Sequence, residues 1–133
     1  MDTKGKPPNE QEHWPADILE DGPFAMALIG ARLEVVKANR AFCTMLGFAQ
    51  AEIRSLHLQD IAQDPNAFIE LVRQIFDGVA PVLKTEWQFL SKSGEAFWVQ
   101  STASGVAGGR SGDPLCLLIV EDISERKGAE LAL

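Results

Sequence analysis

The hydrophobic period of this chain changes twice, and the order of the changes restricts the folds open to it. In "NAFIELVRQIFDG" the apolar residues Phe68, Leu71, Val72, Ile75 and Phe76 recur at i, i+3, i+4, i+7 and i+8, the stripe of a helix that buries one face. Asn66 stands where it can cap that helix and Gly78 where it can close it. Past Pro81 the period falls to two. "VLKTEWQFLS" and "EAFWVQSTA" read as strands flanking "KSG", a short hairpin connection whose Gly94 suits a positive backbone angle. A polar loop, "GGRSGD", leads into "PLCLLIVED", a continuous apolar run expected in the middle of a sheet, with the strand placed over Leu117 to Glu121.

Upstream, "FAMALI" and "LEVVKA" are two short strand-like runs separated by "GAR", which reads as a hairpin. From Asn39 the helical period appears for the first time: Phe42, Met45 and Leu46 share a face, with Asn39 as cap and Gly47 as terminator. "AQAEIRSLHLQDIAQ" supports only short helical turns, with Ile53, Leu56, Leu58 and Ile61 pointing inward. Ahead of these, Met1 to Pro8 reads as a loose tail, and Asn9 with Glu12 forms a capping-box spacing before Trp14, Ile18 and Leu19; Pro15 limits that piece to a short helix or two turns. Strands, then a block of helical pieces, then strands imply an α+β domain: an antiparallel sheet packed by helices on one face. The division that follows is 1–17 for tail and flanking helix, 18–124 for the domain, and 125–133 for the start of a C-terminal helix or linker.

Composition narrows the function classes. A formal charge of -7, from 12 basic and 19 acidic residues, repels a phosphate backbone and offers no basic patch to acidic lipid. No apolar run has the roughly 20 residues that a membrane span requires, and "MDTKGKPPNEQEHW" lacks the apolar centre of a signal peptide, so a cytoplasmic placement is expected. Cys43 and Cys116 are far apart and in no ligand-type spacing, which argues for buried thiols rather than a disulfide or a zinc site. For catalysis the material is thin. His13 lies in the tail and His57 in the helical turns, "GVAGGRSG" lacks the Gly-Lys-Ser/Thr ending of a phosphate loop, and Glu121 and Asp122 point to opposite faces of one strand. This segment is not expected to be an enzyme.

Three stretches carry a family resemblance. "VVKANRAFCTMLGF" resembles the strand-to-helix passage of PAS domains; "KTEWQFLSKSGEAFWVQ" is similar to the family's hairpin, with its acidic residue, Lys-x-Gly turn and aromatic pair. "IVEDISERKGAE" looks like the family's exit motif, with Ser124 where Thr is more usual. The resemblance spans about Leu19 to Glu130 and implies a five-stranded antiparallel sheet of order 2-1-5-4-3 with helices on one face. It also implies a sensory role in signalling, a homodimer, and a C-terminal effector such as a histidine kinase, cyclic-dinucleotide enzyme or transcription regulator. One departure bears on geometry: Leu33 occupies the place of the family's turn glycine, so the first hairpin is expected to be irregular. Another, Ser55 where a Gly commonly follows the second helix, says little about function.

The family's ligand space lies between the inner sheet face and the helices. By the resemblance, the inward positions are Phe89, Val99, Ser101 and Val120, walled by Met45, Leu46, Ile61, Phe68, Val72, Ile75 and Trp87. Flavin photosensors read the ring's polar edge with amide side chains at three of these places, where this chain has Phe89, Val99 and Val120; "SLHLQDI" also lacks their reactive Cys. Haem in this family takes a His on the long helix, and "NAFIELVRQIF" has none. Ser101, then Thr85, are the polar candidates inside, too few for a dicarboxylate. The cofactor is therefore left open between a small apolar ligand and none, with a flavin held in another manner as a lesser alternative. The resemblance places the signal exit at Asp122, Ile123 and Ser124, with Asp122 and Glu125 in capping-box spacing before a helix opening at Glu125. An isolated helix of this length is marginal in water, so a partner is expected, although Leu131 and Leu133 are too few to define a heptad. Trp14, Ile18, Leu19 and an outward-facing Trp98 are the expected dimer contacts.

Overall fold

The computed structural model describes residues 24–106 and 113–132. Trp14, Ile18, Leu19 and the Asn9 cap lie outside those residues, as does most of the "GGRSGD" loop. Two strands, β1 (Ala25–Ile29) and β2 (Val35–Ala38), lead into α1 (Arg40–Leu46), α2 (Gln50–Ile53) and a 3-10 turn at Leu58–Asp60. Helix α3 (Pro65–Phe76) follows, then β3 (Val82–Leu90), β4 (Ala96–Val106), β5 (Leu115–Asp122) and α4 (Ser124–Ala132). The strands form one antiparallel sheet in the order β2-β1-β5-β4-β3, with β5 in the middle. Its centre is longer than the sequence suggested, because β5 pairs with β4 from Leu115 through Asp122 rather than from Leu117 to Glu121.

Alternation sorts each strand into two faces. On β5, Cys116, Leu118 and Val120 point into the helix-covered side, and on β1 Ala25, Ala27 and Ile29 do the same. The helices supply the other half of that core: Phe42 and Leu46 from α1, Ile53 from α2, Leu58 from the turn, and Phe68 and Val72 from α3. Phe42, Phe68 and Phe89 are completely buried; removing a side chain of that size from water is worth about 2 to 3 kcal/mol. Met26 and Leu28 face the other way and form a second apolar group with Leu115, Leu117 and Ile119 on the outer sheet face.

The caps explain where the helices begin. Asn39 opens α1 by accepting from the Phe42 amide, and Gly47, at φ 85°, ends it by donating to the Cys43 carbonyl at 2.8 Å. Helix α3 begins earlier than its apolar stripe implies: Asp64, not Asn66, is the cap, accepting from the Ala67 amide at 3.2 Å. Pro65 is the physical reason. It occupies the first helical position, where its missing N–H costs nothing and its fixed φ is already helical.

The first hairpin is irregular, in keeping with Leu33 at the turn-glycine position. Leu33 adopts φ 67°, and the β1–β2 register shifts between Leu28 and Ile29. A left-handed backbone costs a residue with a Cβ about 1 to 2 kcal/mol. Leu33 offsets this by burying its side chain in the core and giving its carbonyl to the Leu58 amide at 3.0 Å.

Candidate functional site

The inner sheet face gathers the residues that the sequence places there. Phe89, Val99, Ser101 and Val120 are all buried, and Leu46, Ile61, Phe68, Val72 and Ile75 close over them, with Met45 and Trp87 packed at the margin. At the centre three aromatic rings meet. Phe68 lies 5.2 Å from Trp87 and 6.0 Å from Phe89, and Trp87 lies 6.3 Å from Phe89, centroid to centroid. The Trp87 Nε1–H donates to Ser101 Oγ at 2.9 Å. Among the described residues the one fully buried hydroxyl of the inner face is thus engaged by an indole. Thr85, opposite Ser101 on the neighbouring strand, is only half-buried. His57 is exposed at the start of the 3-10 turn and makes no capping bond there.

Both cysteines are free and buried. Burial pushes the Cys116 thiol up to about 11, so it is a packed apolar group and not a nucleophile. Among the described residues no cluster of His, Cys, Asp or Glu could hold a metal ion, and no helix is long and apolar enough to cross a membrane.

The exit is built differently from the capping box. Helix α4 begins at Ser124, one residue before Glu125, and the Asp122 carboxylate accepts from the Ser124 amide at 2.9 Å. Ser124 Oγ does not cap the helix; it accepts from the Trp98 amide and donates to the Trp98 carbonyl. The Ile123 amide also donates to that carbonyl, at 3.0 Å, and the Ile123 side chain is buried. Two consecutive exit residues are therefore fastened to one residue of β4.

Sequence reasoning missed the next layer. Lys127 lies one turn past Ile123, on the same side of α4, and its Nζ reaches Glu86 on β3 at 2.9 Å. Arg126 pairs with the same carboxylate, and Glu130 faces both cations. The Lys127 ammonium also sits 4.7 Å from the centre of the Trp98 ring. Trp98 points outward as expected, but it is half-buried beneath α4 rather than an open anchor. The hydrogen bond from Lys127 holds the Glu86 carboxyl below its ordinary value, and the same bond raises the Lys127 ammonium. The alternation of Glu86 with inward Thr85 and Trp87 is a readable signal for its direction; its partner on α4, four residues past Ile123, is not.

A cleft of about 380 Å³ opens away from the aromatic centre, where the β1–β2 turn faces α3. Ala31, Arg32 and Leu33 form one wall, and Ile69, Arg73, Phe76 and Asp77 the other, with Val72 and Gln59 also lining it. Of these, only Val72 was among the expected pocket residues.

An antiparallel sheet of this order, helices over one face and a strand that runs straight into a fastened exit helix define a PAS-type sensory architecture. The chain belongs to the PAS domain family, whose model matches residues 23–125. It is 28% identical over 125 residues to the Escherichia coli (strain K12) protein described as "Probable diguanylate cyclase DgcE", covering 92% of this chain. The chain spans only 11% of that relative's length. Among solved structures, it is similar in fold to the PAS domain of nitrogen regulation protein NR(II) from Vibrio parahaemolyticus, with TM-score 0.69 and 18% identity over 84% of this chain and 99% of that one. An RNA-binding light-oxygen-voltage receptor is also similar, with TM-score 0.70 and 22% identity over 84% of this chain and 33% of that one. PAS domains are sensory, non-catalytic modules, found with effector domains such as diguanylate cyclases and histidine kinases.

Proposed function

We propose that this domain is the sensory module of a larger signalling protein: it dimerises and relays ligand or partner binding through α4 to an effector domain. A diguanylate cyclase, a histidine kinase or a transcription regulator would fit as that effector. The observation that carries the reading is the double attachment of α4. Its entry is fastened to Trp98 of β4 through Ile123 and Ser124, and the rest of its first turn to Glu86 of β3 through Arg126 and Lys127. A shift of β3 against β4 changes both attachments together, which is what a two-state output element requires.

The dimer is assigned to a second copy of the chain meeting the outer sheet face. Met26, Leu28, Leu115, Leu117 and Ile119 form its apolar row, and Trp14, Ile18 and Leu19 supply a short apolar segment ahead of β1.

The test uses the full-length protein carrying its effector. Glu86→Gln and Asp122→Ala should each uncouple effector output from the input signal while thermal stability stays near that of the parent. Regulation unchanged in both variants would sink the relay.

A ligand-free scaffold is the second reading, favoured by the aromatic trio that fills the inner face and by the Trp87–Ser101 bond that engages its hydroxyl. Mass spectrometry of the denatured protein separates the two for the interior. A small apolar molecule released from the protein supports interior sensing, and none supports the filled core.

A further inference from the structure

The cleft between the β1–β2 turn and α3 has the makings of a ligand site. Its volume of about 380 Å³ falls at the lower end of small-molecule pockets, which run from roughly 300 to 1,000 Å³. The floor is apolar: Leu33 and Val72 are buried core residues, and Phe76 is half-buried beside them. Ile69 remains 40% exposed although it is a large aliphatic on the helix that faces the turn. A planar or branched apolar body laid across this surface would cover it.

The polar groups restrict what that body can carry. Gln59 lines the cleft, and its Oε1 is buried with no hydrogen-bond partner. An acceptor shielded from water and left unpaired is a standing penalty, relieved when a small rotation of the amide presents it to a donor. The second group is Arg32. Arg73 on the opposite wall is already shared between Glu70 and Asp77, whereas the Arg32 guanidinium has no carboxylate partner among the described residues; only its backbone amide is bonded, to Glu34 Oε1 at 3.0 Å. With Asp77 on the rim, a second negative charge on a ligand would be repelled. One anionic group is accommodated.

We propose that this cleft binds an amphipathic monocarboxylate: an apolar, ring-sized body across Leu33, Ile69 and Phe76, an N–H or O–H donor to Gln59, and a single carboxylate to Arg32. The proposal deepens the sensing half of the function above and stands apart from its relay half. It places the sensing site at the β1–β2 turn, where left-handed Leu33 forms part of the cleft's wall, rather than at the aromatic centre.

The probe is indole-3-acetate, which carries all three features, titrated into the 133-residue chain and followed by amide NMR shifts and calorimetry. Saturable shifts at residues 31–33, 59 and 69–77 are expected. Arg32→Gln should weaken binding at least tenfold. Gln59→Leu should weaken indole-3-acetate but leave its N-methyl analogue unchanged, since that analogue has no ring N–H to donate. Ile69→Ala, at an exposed position, gives a further variant in which weaker binding is expected without loss of the fold. No saturable shift at millimolar probe, shifts centred on Phe68, Phe89 and Ser101, or equal affinity in Arg32→Gln would each overturn the proposal. Because binding is read on the isolated chain, its failure is distinct from a failure of Glu86→Gln to uncouple the full-length protein.

Discussion

Asn39 shows how much of this fold hangs on single side chains. Its Oδ1 accepts from the amides of Met26 and Phe42, both at 3.0 Å, and its Nδ2 donates to the Phe24 carbonyl at 2.7 Å. One buried amide therefore joins the start of β1, the end of β2 and the first turn of α1. Replacing it with Ala strands two buried N–H groups and a carbonyl, each costing about 1 to 3 kcal/mol when left unpaired. Asn39→Ala is expected to lower the stability by about 3 kcal/mol or more, measured as a reduced midpoint in urea with an unchanged slope. A loss under about 1 kcal/mol would mean that water replaces all three bonds. Ser101 is a lesser case of the same kind: its buried hydroxyl accepts from the Trp87 indole at 2.9 Å.

At the scale of elements, α4 is the piece whose attachment depends on charge. Glu86 is held below its ordinary value of 4.5 mainly by the Lys127 hydrogen bond, and Lys127 above its ordinary 10.5 mainly by the Glu86 hydrogen bond. For Glu86 the depressed folded-state value means that its contribution is complete above about 4.5 and is lost as pH falls through the lower folded value. For Lys127 the raised value means that the contribution is complete below about 10.5 and lost as pH rises past it. Docking of α4 should therefore be flat across neutral pH and weaken at both extremes. Amide hydrogen exchange checks this: protection at residues 126–130 should fall below pH 4.5 ahead of that in β5, and should fall at high salt as well, because the pairs are exposed. Uniform loss across α4 and β5 would show that the helix has no separate attachment. The sequence made some of these elements legible and hid others for identifiable reasons. The resemblance places one inward residue on each of β3, β4 and β5, Phe89, Val99 and Val120, and parity then sorts the rest of each strand, because a strand has only two sides. The start of α3 was misread although the signal was there: Asp64 followed by Pro65 is a stronger opening than Asn66, since Pro belongs at the first helical position. The cleft had no local signal at all. It exists because residues 31–33 meet residues 69–77 across the fold, and no window of sequence holds both.

At the scale of the whole molecule, the sheet works as a partition between two kinds of business. Its inner face carries three aromatic rings and an indole–hydroxyl bond; its outer face carries the apolar row of β1 and β5 beside the charged seat of α4. Self-association through that row predicts a concentration-dependent dimer in sedimentation velocity, and Leu117→Glu should return it to monomer with little loss of stability, since Leu117 is only half-buried. A chain that stays monomeric at high concentration would remove the outer face as the interface. The seat of α4 has one further consequence. The chain has three tryptophans, and of the two among the described residues Trp98 has the Lys127 ammonium held against its ring, so a variant retaining only that indole becomes its own optical gauge: departure of the helix is expected to change the emission of Trp98, and the proposed output step can be timed in unlabelled protein.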